Sequence, residues 1–95
     1  MNTQDKGTDM YDALIPIAQD LNTLDATLSA PDGPQRVARI AAAFDETARR
    51  ISSATQAAAD DRERVELQKL YRGMIAARRI VLSLHERHSA HGAAV

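Results

Sequence analysis

A chain of 95 residues with eighteen alanines, three aromatic residues (Tyr11, Phe44 and Tyr71) and no cysteine has room for one domain and little material for a thick core. It holds too few β-branched and aromatic residues for a sandwich or barrel, and the missing thiols exclude a disulfide framework and a thiolate metal site. The net charge of −1 points away from a polyionic partner but is unevenly placed: residues 1–33 carry Lys6 against six aspartates, whereas residues 34–95 carry eleven basic and seven acidic groups. The acidic arm and basic body are expected to attract each other or to offer opposite faces to partners.

The polar start MNTQDKGTD lacks the basic end and apolar run of a signal peptide, and no stretch approaches a transmembrane helix in length. A soluble, cytoplasmic protein without membrane insertion is expected, and the arginine- and alanine-rich usage suggests a bacterial genome rich in GC. Residues 1–8 should fray. From Met10 an apolar series runs through Leu14, Ile17, Leu21, Leu24 and Leu28 at steps of 4 and 3, which predicts a first helix over about 9–29. Pro16 cannot donate to the carbonyl of Asp12, so it either kinks this helix or begins it. The breaker Ser29-Ala-Pro-Asp-Gly-Pro34 ends it.

A second helix is predicted over about 34–58, with Asp32 or Gly33 as its cap and the stripe Val37, Ile40, Phe44, Thr47, Ile51, Ala54 and Ala58. The stripe thins to alanine towards its end, which admits a close neighbour but buries less there. Asp60 with Glu63 fits a capping box and starts a third helix over about 61–88; without a Gly or Pro between them, one continuous helix from 34 to 88 is the alternative. The third helix carries one stripe of Leu67, Leu70, Met74, Ala77, Val81, Leu84 and His88. A second stripe of Tyr71, Ile75, Leu82 and His85 lies beside it, and Ile80 flanks the first. A face this wide can touch two neighbours. Gly73 is either tolerated in mid-helix or marks a close helix crossing. The short tail after His88 should fray. The fold class is therefore all-α, an antiparallel hairpin with coiled-coil-like packing and an additional N-terminal helix.

Sites for chemistry are few. His85, His88 and His91 are spaced in threes, but no HExxH pattern accompanies them, and solvated histidines near a helix C-terminus explain them. Asp60, Asp61, Glu63 and Glu66 read as a first-turn capping group rather than an acid–base pair. Neither a phosphate loop nor a nucleophilic triad is present, so a non-enzymatic protein with no metal and no cofactor is expected. Arg62, Arg64, Arg72, Arg78, Arg79 and Arg87 give the third helix a basic side. Without stacking aromatics or a helix-turn-helix unit, this reads better as a solvated face, or one paired with the acidic arm, than as a nucleic-acid site.

The run AARRIVLSLHERHSA (residues 76–90) resembles the C-terminal helix of the small helical co-chaperones of bacterial type III secretion systems. Ala77, Ile80, Val81, Leu84, His85, Arg87 and His88 occupy the places of that family's pattern, with His85 where the family tends to have tyrosine. The resemblance implies a hairpin that docks on a tetratricopeptide-like chaperone and keeps a self-polymerising needle subunit soluble before export. Apolar seams in excess of a thin core agree with a partner-binding protein. The residues expected to make contact are Leu70, Tyr71, Met74, Ile75, Ile80, Val81, Leu82 and Leu84. A small nucleic-acid-binding regulator and a homo-oligomeric helical scaffold are the alternatives.

Overall fold

The break between the two long helices is made by the predicted cap. In the computed structural model, which describes residues 10–94 and side chains as far as Ala90, Asp60 Oδ1 accepts the Glu63 N–H at 2.8 Å. Glu63 Oε1 accepts the Ala59 N–H in return at 3.2 Å. Ala58 is extended (φ −63°, ψ 138°), and the Arg64 guanidinium donates to its carbonyl at 3.3 Å while pairing with Asp61 at 2.8 Å. Two helices therefore stand where a single one from 34 to 88 was the alternative. The residues at 1–8 that were expected to fray lie outside the described part.

We label the helices α1 (Ala18–Asn22), α2 (Leu24–Ser29), α3 (Gly33–Ala57) and α4 (Asp61–Ala94); a 3-10 segment over Asp12–Ile17 precedes them. Among the described residues there is no strand, and α3 and α4 pack as an antiparallel hairpin. At 34 residues α4 spans about 51 Å, close to the 54 Å long axis of the molecule. It continues past His88, and against the 25 residues of α3 its last turns overhang.

The buried side of α3 is the predicted stripe, Val37, Ile40, Phe44, Thr47 and Ile51, filled in by Ala41, Ala43 and Ala48. Small residues between large ones let the neighbouring backbones come close while the large ones interdigitate. Leu67 and Val81 of α4 are buried from one side, and Ile17 of the N-terminal arm joins the same core. The arm lies mainly on α3, with α2 also reaching α4, so α3 is covered by both.

The single first helix expected over 9–29 is not formed. Pro16 sits inside the 3-10 segment, regular helix begins only at Ala18, and the chain breaks again at Thr23 (φ −121°, ψ 51°). The end of α1 leaves carbonyls without intrahelical donors. At Asp20 a side chain supplies one, the fully buried Thr27 hydroxyl donating to its carbonyl at 2.9 Å, while Gln19 O accepts both the Thr23 N–H at 3.1 Å and the Thr23 hydroxyl at 3.0 Å. The heptad stripe survives because Leu14, Leu21, Leu24 and Leu28 still pack on the core, each from a shorter piece.

Asp32 holds the cap position of α3, but its carboxylate turns to Arg36 at 3.1 Å instead of capping. Gly33 is buried at the closest approach of α2 and α3. A Cβ there would come within 2.9 Å of Thr27 O and 3.1 Å of Leu28 O. Gly73 is different: a Cβ at that position meets nothing within 4 Å, so no helix crosses there. Its place in the helix is tolerated, and the close-crossing reading falls.

Candidate docking face

Three of the eight residues expected to contact a partner are exposed on α4: Leu70 at 38%, Tyr71 at 40% and Ile80 at 58%. Met74, Ile75, Leu82 and Leu84 are half-buried, and Met74 and Leu82 also pack on the core. Val81 is different. It is buried among Ile40, Phe44 and Ile17, where a partner cannot touch it while the hairpin is closed. The first stripe of α4 thus seals the hairpin at Leu67 and Val81 but opens at Leu70, and the second is only partly covered. Val65, exposed at 48%, was missed because it lies off both stripes, and nothing in the spacing marks it.

Beside its apolar stripe, the side chains of α3 become short and polar towards its end. Near the turn, Ser52, Thr55 and Gln56 are too small or too polar to cover α4, leaving a cavity of about 410 Å³ against Gln68, Tyr71 and Arg72. A second depression of about 350 Å³ follows along α4, lined by Ile75, Arg78, Arg79, Leu82, Ser83 and Glu86. Residues three, four and seven apart share one side of a helix, so both depressions lie along the Tyr71–Ile75–Leu82 stripe.

Electrostatics divides the arginines. Arg78 Nε stands 3.0 Å from Asp45 Oδ1 across the hairpin, and Arg64 is held at the turn. Arg62, Arg72, Arg79 and Arg87 are exposed and form no ion pair among the described residues. Among the described residues, the acidic arm's ion pairs go to Arg36 of α3, from Asp20 at 3.7 Å and Asp32 at 3.1 Å, and not to these arginines. Of the two readings of the basic side, the described residues show a solvated face at Arg62, Arg72, Arg79 and Arg87; Asp5 and Asp9 of the acidic segment lie outside them. On α3, the Glu46 carboxyl is held below the ordinary glutamate range by hydrogen bonds from Arg49 and Arg50.

The acidic group at the start of α4 has structural employment. Asp60 and Glu63 cap, Asp61 pairs with Arg64, and Glu66 lies 3.6 Å from Lys69. His85 is half-buried, with Nδ1 enclosed and lacking a hydrogen-bond partner among the described residues, whereas His88 is exposed. The His91 side chain lies outside the described residues. Among the described residues no group of histidines and carboxylates has the arrangement of a metal site. Nor is any helix among them long and apolar enough to cross a membrane.

Fold and surface together define an all-α hairpin whose distinctive feature is an incompletely covered seam on its last helix. A family model described as Type III secretion system regulatory protein HrpD6 matches residues 11–87, and the chain belongs to this family. The match takes in the arm and α3 as well as α4, and it places the chain in the secretion system to which the 76–90 run pointed. No curated protein and no solved structure shows significant similarity to it.

Proposed function

We propose that the protein is a non-enzymatic, protein-binding component of type III secretion, with α4 as its docking helix. The carrying observation is the exposure of Leu70, Tyr71 and Ile80 on one helix of a chain so poor in large side chains. Leaving such groups partly in water forgoes the rest of their burial, roughly half of the about 1.5–3 kcal/mol that full burial of a large apolar side chain contributes. Met74, Ile75, Leu82 and Leu84 complete the proposed contact surface; Val81 belongs to the core instead.

The finer reading is a co-chaperone that acts in the cytoplasm with a tetratricopeptide-like chaperone and keeps an export substrate, the needle subunit, soluble before secretion. The hairpin with its uncovered seam supports this, as does the 76–90 resemblance. It also suits a family described as regulatory, because a protein that sequesters a secretion component sets how much of it is free. Co-expression of the full chain with the needle subunit and the chaperone of its own secretion system tests the reading. A stable complex with a monomeric subunit and a raised Tm is expected. A subunit that polymerises equally fast with and without the chain would overturn the co-chaperone role.

The nucleic-acid reading draws no support from the surface, since two arginines of α4 are engaged within the fold and Glu86 interrupts the rest. A homo-oligomeric scaffold would show a fixed stoichiometry in light scattering without any partner.

A further inference from the structure

The two depressions on α4 form one line, from Gln68 to Glu86, about 27 Å at the helical rise. Tyr71, Ile75 and Leu82, four and then seven residues apart, supply an apolar floor on one side of the helix, and Arg72 and Arg79 stand two turns apart on its outer lip. Both arginines are exposed and have no ion pair among the described residues. The third arginine along the line, Arg78, is already faced by Asp45, so the uncompensated charge sits on the lip.

Resting on the protein-binding reading above, we propose that this groove receives an acidic amphipathic helix of a partner protein. A groove parallel to α4 and about five turns long matches a helix laid along it by its apolar face. Such a helix places apolar residues three and four apart on Tyr71, Ile75 and Leu82, and carboxylates seven apart on Arg72 and Arg79. Glu86 closes the far end and repels a carboxylate there, which confines the acidic stretch of the incoming helix to the Arg72–Arg79 span. Charge also decides against a second copy: its α4 would bring arginine onto arginine along the whole lip.

The test uses the full chain and two labelled synthetic helical peptides with the same leucine seam, one flanked by glutamates and the other by lysines. Fluorescence anisotropy should show the acidic peptide bound, its affinity falling with salt, and the basic one weaker by about tenfold or more. Arg72→Glu/Arg79→Glu, both on exposed positions, should reverse that preference with an unchanged far-UV spectrum. Ile75→Glu should abolish binding, and Ala76→Glu, at an exposed position turned away from the groove, should leave it unchanged. Equal binding of the two peptides, or indifference to the double reversal, overturns the proposal. A dimer in sedimentation that Ile75→Glu dissolves would assign the groove to a second copy and overturn it too. A complex with secretion proteins that survives Arg72→Glu/Arg79→Glu overturns the groove but leaves the protein-binding role standing. Retained acidic-peptide binding with no complex would fail that role instead.

Discussion

The Thr27 hydroxyl and the Asp20 carbonyl meet at 2.9 Å across the break in the N-terminal arm, a bond spanning seven residues where a helical threonine ordinarily reaches back four. Thr27 is wholly buried, and the same hydroxyl also reaches Thr23 O, four residues back, at 3.2 Å, so removing it takes a donor from both carbonyls. Thr27→Val keeps the shape and loses the donor, and should cost about 1–3 kcal/mol. Thr27→Ser keeps the donor and should cost about 0.8 kcal/mol for its missing methyl. Urea unfolding followed by far-UV circular dichroism separates the two, and a valine variant as stable as the wild type would show the bond to be idle.

The two mid-chain glycines should respond in opposite directions to alanine. At Gly33 the new methyl group meets backbone carbonyls that can yield only by shifting α2, a loss of about 1–3 kcal/mol. At Gly73 it enters open space on a helix, a gain of about 0.8–1.0 kcal/mol. Neither glycine has positive φ, so the contrast is one of space rather than backbone conformation. Thermal melts of the two variants check it.

Asp60→Ala removes the acceptor for the Glu63 N–H and should destabilise the hairpin by about 0.5–2 kcal/mol. Asp60→Asn, which can still accept that bond, should recover most of the loss. If alanine and asparagine unfold at the same urea concentration, the cap contributes nothing.

A double-mutant cycle on Asp45→Asn and Arg78→Gln should return a coupling of about 0.2–1 kcal/mol, since both side chains are partly exposed. The coupling should shrink as salt rises from low to physiological strength. A coupling that salt does not touch would mean that the pair acts through packing.

Glu46 supplies the pH dependence. Its folded carboxyl titrates below the ordinary range because Arg49 and Arg50 hydrogen-bond its charged form. A depressed folded value means that the stabilisation is present above the unfolded value and is lost as pH falls through the folded one. Carbon-detected NMR titration should place the Glu46 midpoint below that of a model glutamate, and Arg49→Gln/Arg50→Gln should move it upward. A midpoint unmoved by that double change would remove the arginines as the cause.

The long helices were legible because their signals are local. The stripe from Val37 to Ile51, the Ser29–Pro34 breaker and the Asp60–Glu63 cap each act within a few residues of themselves. The arm was less legible because its breaks depend on distant support. The heptad pattern predicts burial of Leu24 and Leu28, yet Thr27 is the residue wholly enclosed, and its burial requires a carbonyl freed at the end of α1. On α4 the spacing identified two apolar stripes. Only packing could decide that Leu67 and Val81 of the first are sealed while Tyr71 of the second is open, because that choice depends on how little Ser52, Thr55 and Gln56 cover.

The position of α3 between the arm and α4 sets an order of opening. Lifting the arm leaves α3 still covered by α4, and peeling α4 away leaves it still covered by the arm. Its amides must wait for both covers to go, so native-state hydrogen exchange should be slowest around Ile40–Thr47, with the overhanging last turns of α4 exchanging first. A partner that engages only α4 would then slow exchange throughout that helix and still leave the arm free to breathe.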